Sequence, residues 1–147
     1  MKAGRLIVLA AAAFAALPAA ALDYRAVEAS AAVLYDTPSQ KGKKLYIVRQ
    51  HTPLEVVVRL EGWSKVRDAE GTLAWIEAKA LSDRRYVVVT ATRAEIRKTA
   101  SAEAPLAFEA EKWVALELLE ASAAGWVKVK HADGTIGYVK STQVWGL

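Results

Sequence analysis

The chain has no cysteine among its 147 residues. Disulfide staples, thiolate metal sites, a cysteine nucleophile and a lipid-modified amino-terminal cysteine are all excluded. Histidine is nearly as scarce, with only His51 and His131. Both stand beside turn signals and neither has a ligand-type neighbour at a metal-binding spacing, so each reads as a solvated turn residue. No Ser-x-x-Lys, nucleophile elbow, phosphate loop or HExxH pattern occurs. No metal, no cofactor and no catalytic residue are therefore expected. Charge of one sign is also in short supply: 20 basic against 16 acidic groups give +4.

What is present begins with an address. Lys2 and Arg5 precede an apolar run from Leu6 to Leu17, then Pro18 and Ala19-Ala20-Ala21. Small residues at the last and third-last positions suit signal peptidase, so residues 1–21 read as a signal peptide cut after Ala21. A membrane-spanning helix needs ~20 apolar residues, whereas this run holds 12 and is followed by Asp23 and Arg25. The expected location is periplasmic or secreted, with no stable membrane span after cleavage. The mature part keeps 18 basic and 16 acidic groups. Without a clustered basic surplus a nucleic-acid partner is not expected. Export without disulfides also means that core packing alone must hold the fold.

The mature chain repeats itself. Gly62 to Ile76 (GWSKVRDAEGTLAWI) aligns with Gly125 to Val139 (GWVKVKHADGTIGYV) at an offset of 63, with seven of fifteen pairs identical. Upstream, Leu34 matches Ile96, Tyr46 matches Phe108 and Leu54 matches Leu116, one residue shorter in offset. That period is too long for a solenoid unit and suits tandem small domains, since many of ~55–65 residues fold alone. Each copy reads as β. Leu54, Val56, Val58 and Leu60 alternate with Glu55, Val57 and Arg59, which predicts a strand with one apolar face. Val114, Leu116 and Leu118 repeat the pattern, and Tyr86 to Thr90 (YVVVT) opens the second copy. Pro105 and the alternation after Trp113 limit any helix in Ala102 to Glu120 to a turn.

The hairpin in each copy carries the most information. A three-residue loop Ala69-Glu70-Gly71, closed by a left-handed glycine, would pair Val66 with Ala74, Lys65 with Trp75 and Ser64 with Ile76. Val66, Ala74 and Ile76 then share one face, and Trp63, Lys65, Arg67, Trp75 and Glu77 the other. The second copy sorts Val127, Val129, Gly137 and Val139 against Trp126, Lys128, Lys130 and Tyr138. The aromatic pair thus shares the charged, wet face.

Gly-Trp-x-Lys-Val, a Gly-Thr turn and an aromatic followed by Ile or Val resemble the bacterial SH3-like domain of exported cell-envelope proteins. Val33 to Ser39 and Glu95 to Lys98 look like the motif near that family's start, and Leu81 to Arg85 like one subgroup's exit segment. The resemblance spans Tyr24 to Leu147 as two copies. It implies an all-β chain of two tandem SH3-like small β-barrels, each of five strands, over residues 22–83 and 84–147. The sequence departs from the family at Val33 and Tyr35, at Ala74 and at Thr99-Ala100, all positions where a groove would be lined.

By analogy with peptide-binding SH3 domains, Tyr35, Trp63 and Trp75 in one copy, and Arg97, Trp126 and Tyr138 in the other, would line ligand grooves. The same rings could instead plug a barrel rim or the contact between copies. Trp113 and Trp145 lack equivalents and read as packing or inter-copy contacts, and Lys41, Lys43 and Lys44 as a solvated loop. Two functions follow. One is an exported non-enzymatic binding module for cell-wall peptide or an envelope protein. The other is a structural adaptor whose aromatic faces pack the two barrels together, with no ligand of its own. Cell-wall peptidases bearing such modules use a catalytic cysteine, and this chain has none. For export itself, the intact mass of protein recovered from the periplasm should correspond to Leu22 as first residue. Full-length chain in the membrane fraction would contradict the cleavage.

Overall fold

A computed structural model describes residues 21–121 and 124–147. The signal-peptide expectation, residues 1–21, lies outside the described residues except for Ala21. The first copy consists of β1 (Tyr24–Val27), β2 (Ala31–Tyr35), β3 (Lys44–Arg49), β4 (Pro53–Leu60), β5 (Trp63–Arg67), β6 (Leu73–Glu77) and β7 (Leu81–Ser82). The second consists of β8 (Tyr86–Val89), β9 (Arg93–Arg97), β10 (Leu106–Glu111), β11 (Ala115–Ala121), β12 (Trp126–Lys130), β13 (Ile136–Lys140) and β14 (Val144–Trp145). A single 3-10 turn, Ala78–Ala80 or Ser141–Gln143, precedes the last strand of each. No helix among the described residues is long and apolar enough to cross a membrane.

The two sheets have the same strand order, β3-β2-β6-β5-β4-β1-β7 and β10-β9-β13-β12-β11-β8-β14. The described residues are therefore all-β, in two tandem units of the same topology. Each has seven strands rather than five, because an opening strand, β1 or β8, pairs with β4 or β11, and a two-residue exit strand pairs back onto that opening strand. The ladders leave β3 and β10 at a margin, so each unit is a sheet bent around its core rather than a ladder closed on itself.

The hairpins adopt the expected register. Lys65 faces Trp75, Val66 faces Ala74 and Ser64 faces Ile76; Lys128 faces Tyr138 and Val129 faces Gly137. Asp68 N–H donates to Thr72 O at 3.1 Å and Gly71 N–H to Asp68 O at 3.0 Å, with Gly71 at φ 87°. Gly134 closes the second loop at φ 92°. A side chain at either glycine would sit in the left-handed region that L-residues avoid.

Burial follows this register. Leu34, Leu54, Val66 and Ile76 form one core with Val27, and Ile96, Leu116, Val129 and Val139 form the other with Val89. Val66 is 1% exposed and its counterpart Val129 0%. The β4 alternation holds only halfway. Leu54 is fully buried, but Val58 and Leu60 are exposed, because the register shifts between Val56 and Val58. The matching shift in β11 lies between Leu118 and Glu120. A bulge inserts a residue, reverses the parity beyond it and bends the strand. The β5 and β12 partners thus curl over the core while their tips face water.

Aromatic rings join the two copies. Tyr24 meets Trp145 edge to face at 5.0 Å, and His51 stacks on Tyr86 at 4.3 Å with planes 4° apart. Arg84 covers the Tyr86 ring and Arg85 the Tyr24 ring, at 5.3 and 5.6 Å. Burial pushes both tyrosine phenols above their ordinary value. Arg85 Nη2 donates to Gly146 O at 2.9 Å, and Arg25 pairs with Asp83. Gly146 has φ 116°, and a Cβ there would lie 2.8 Å from Tyr86 O and 3.1 Å from Pro53. His51 is therefore an interface residue rather than a solvated one, and Trp145 makes the inter-copy contact read from the sequence. Trp113 does not bury and is 48% exposed.

The equivalence of the cores has a direct consequence. Val66→Ala and Val129→Ala each remove about two buried methylene equivalents and should each cost about 2 kcal/mol in urea unfolding. A loss confined to one of the two would contradict equivalent cores.

Candidate functional site

On the face opposite the core, the ladders align side chains in rows across neighbouring strands. Tyr35 on β2 faces Trp75 on β6, which faces Lys65 on β5, which faces Val58 on β4. The next row is Glu77, Trp63 and Leu60. In the second copy the equivalent rows run Arg97, Tyr138, Lys128 and Glu120, and then Lys140 beside Trp126. Residues paired directly across a ladder stand on the same face within contact range. Each set of three residues singled out from the sequence is thus brought to one surface.

Their exposures differ. Trp63, Trp75, Trp126 and Tyr138 are half-buried, as is Arg97. Tyr35 is only 7% exposed, with its ring edge-on to Trp63 at 5.4 Å. Tyr35 shares the Trp75 face and is covered there by the Trp63 ring, while Leu34 points into the core. In the first copy the wall open to solvent therefore consists of Trp63 and Trp75, flanked by exposed Val58 and Leu60. A concavity of about 440 Å³ beside Tyr35 is bounded by Val33, Glu77 and Lys79.

Charges border the rings without burying them. The Lys65 ammonium lies 5.9 Å from the Trp75 ring centre and Lys140 lies 6.0 Å from Trp126. The Lys79 ammonium and the Gln40 amide, at 2.9 and 2.6 Å, hold the Glu77 carboxyl below its ordinary range. Arg97 is already engaged, donating to Ala104 O at 3.2 Å and pairing with Glu95. The first face is therefore mainly apolar and aromatic, and the second is aromatic with alternating charge. Both suit recognition by ring contact and amide bonding, and neither places a nucleophile beside a base. His131 pairs with Asp133 at 3.1 Å at the mouth of the hairpin. Among the described residues no group of three or more His, Cys, Asp or Glu could hold a metal ion.

The sequence reading missed Val58 and Leu60, because nothing local marks the bulge that exposes them. It also missed a concavity of about 690 Å³ between the two copies, lined by Tyr46 to Gln50, Pro53, Glu70, Val88 and Trp113. A positive backbone φ at His51 (67°) and Trp113 (73°) shapes the turns from β3 to β4 and from β10 to β11, and no residue type there announces it.

The family model described as bacterial SH3 domain matches residues 28–83 and 90–146. No curated protein sequence matches. Similar solved structures include NlpC2 from Trichomonas vaginalis, with TM-score 0.40 and 15% identity over 85% of this chain and 48% of that one. NlpC1 from the same organism has TM-score 0.40 and 14% identity over 93% and 50%. An NlpC/P60 family protein from Bacillus cereus ATCC 10987 has TM-score 0.39 and 16% identity over 83% and 55%. The chain spans about half the length of these structures.

Proposed function

The chain belongs to the bacterial SH3 domain family, and on that premise we propose an exported, non-enzymatic binding module of the cell envelope, divided at 22–83 and 84–147. It recognises cell-wall peptide or an envelope protein through its aromatic faces. Trp63 and Trp75, with Tyr35 behind them, form one contact surface, and Trp126, Tyr138 and Arg97 form the other. The observation that carries this reading is the ladder register, which turns these rings away from both cores toward partly solvated surface.

The adaptor reading rests on a different observation, the aromatic contact between copies. That contact uses Tyr24, His51, Tyr86 and Trp145. The six candidate residues lie outside these ring pairs, which favours ligand binding over self-packing for them.

Co-sedimentation with purified peptidoglycan sacculi and with solubilised envelope tests the proposal. Trp75→Ala and Trp126→Ala should each weaken retention by about 30-fold, the loss typical of a central aromatic. Lys65→Ala should alter mainly the salt dependence. The melting temperature of Trp75→Ala should stay closer to that of the parent than that of Val66→Ala does. Unchanged retention in both tryptophan variants, or a fold lost in Trp75→Ala as badly as in Val66→Ala, would overturn the assignment.

A further inference from the structure

The concavity between the two copies belongs to neither aromatic face. Five consecutive residues of the first copy, Tyr46 to Gln50, line it. Side chains of a strand alternate between faces, so a groove touched by both parities must run along the strand's edge. β3 is indeed the marginal strand, paired only with β2 in its sheet. Gln50 N–H donates to Ser30 O at 3.2 Å, which makes Gln50 and Ser30 a hydrogen-bonded pair. Counting back along the register, Val48 and Tyr46 also bond toward β2, opposite Ala32 and Leu34. The main-chain N–H groups of Ile47 and Arg49 consequently point away from β2, into the groove. Ile47 is 67% exposed there.

The second copy supplies the opposite wall. Trp113 holds a left-handed backbone conformation, φ 73°, which is unfavourable for a bulky side chain. Its counterpart His51 has the same conformation and is stacked on Tyr86. Trp113 instead stands half exposed in the groove, with the Lys112 ammonium 4.7 Å from its ring. A strained, exposed aromatic facing an open strand edge suggests a ligand contact rather than a packing role.

The groove is mainly apolar, with charged side chains among its lining residues. Glu70 lies at the Tyr46 end, beside Asp68, whose carboxylate accepts from Tyr46 Oη at 2.7 Å. Arg49 lies toward the other end of β3, and Trp113, with the Lys112 ammonium over its ring, lines the facing wall. Along an extended chain the two ends are roughly 10–13 Å apart, about four residues.

We propose that this inter-copy groove docks an extended peptide as an added antiparallel strand on β3, with an acidic residue toward Arg49 and Lys112 and a basic residue four positions later toward Glu70. Main-chain bonds to Ile47 and Arg49 supply the pairing, and Trp113 covers the apolar residue between the two charges. This is strand addition at an open sheet edge, with side-chain and charge contacts fixing direction. It is independent of the aromatic faces and requires both copies, because Trp113 and Lys112 belong to the second.

The test uses a fluorescein-labelled peptide with the core Glu-Thr-Val-Thr-Lys and a control with proline in place of the central valine. Anisotropy should report binding of the first and at least ~10-fold weaker binding of the second, which lacks a main-chain donor. Ile47→Pro removes only the N–H directed into the groove and leaves the bonds to β2, a substitution marginal strands tolerate. It should weaken binding at least ~10-fold. Trp113→Gly places glycine at a positive φ, so its melting temperature should hold or rise while binding falls. Trp75→Ala should bind the peptide like the parent. Failure of the peptide to bind, equal binding by the proline control, or full affinity in Trp113→Gly would overturn the proposal. So would a dimer in size-exclusion chromatography that Ile47→Pro dissolves, since a second copy would then occupy the edge.

Discussion

The separation of core from recognition surface rests on a pair of tight turns. Gly71 and Gly134 each complete a three-residue loop in a conformation that other residues resist. The loop sets the register of the hairpin, and the register sets parity: Val66 and Ile76 inward, Trp75 and Lys65 outward. A slip of one residue would exchange the two faces. The same turn occurs twice with the same consequence, so both the burial of the cores and the outward aromatics derive from one local preference.

Stability rests on a second constraint. With no cysteine, the chain cannot staple either unit, and a core of eight or ten buried residues per copy is small. The aromatic contact between copies adds burial that neither unit has alone. Tyr24, His51, Tyr86 and Trp145 join across it, and the arginines of the connecting segment cap two of the rings. Arg84 also reaches Glu117 at 3.5 Å, and Glu117 in turn binds Lys130 at 2.9 Å. The Lys130 ammonium holds the Glu117 carboxyl below its usual range. A group whose folded pKa is lowered stabilises the fold above its unfolded value, and that contribution fades as pH falls through the folded one. This link beside the inter-copy segment therefore weakens on acidification. Holding the units side by side also creates the groove between β3 and Trp113.

Much of this was legible in the sequence because it is encoded locally. The repeat, the Gly-Thr turns, the pairing of Lys65 with Trp75 and the equivalence of Val66 with Val129 all follow from residues close together in the chain. What was not legible depends on irregularity or on placement. The bulge at Val56 and Val58 carries no glycine or proline, so uninterrupted alternation wrongly placed Val58 and Leu60 on an apolar face. Tyr35 stays on the Trp75 face but is covered there by the edge-on Trp63 ring. His51 and Trp113 occupy equivalent turns with equal strain, yet one is stacked in an interface and the other is open to water. Only the relative position of the two copies separates their fates, and no short-range pattern encodes that.

Because the chain has no cysteine of its own, any single cysteine introduced into the hairpins is a unique probe of parity. Maleimide labelling rates of Lys65→Cys, Val66→Cys, Trp75→Cys and Ile76→Cys, measured under native conditions, test the register directly. Fast reaction at positions 65 and 75, with protection at 66 and 76, is the predicted alternation, and positions 128, 129, 138 and 139 should repeat it. Uniform rates, or protection at 75 with reaction at 76, would contradict the hairpin register and remove the basis for the aromatic faces.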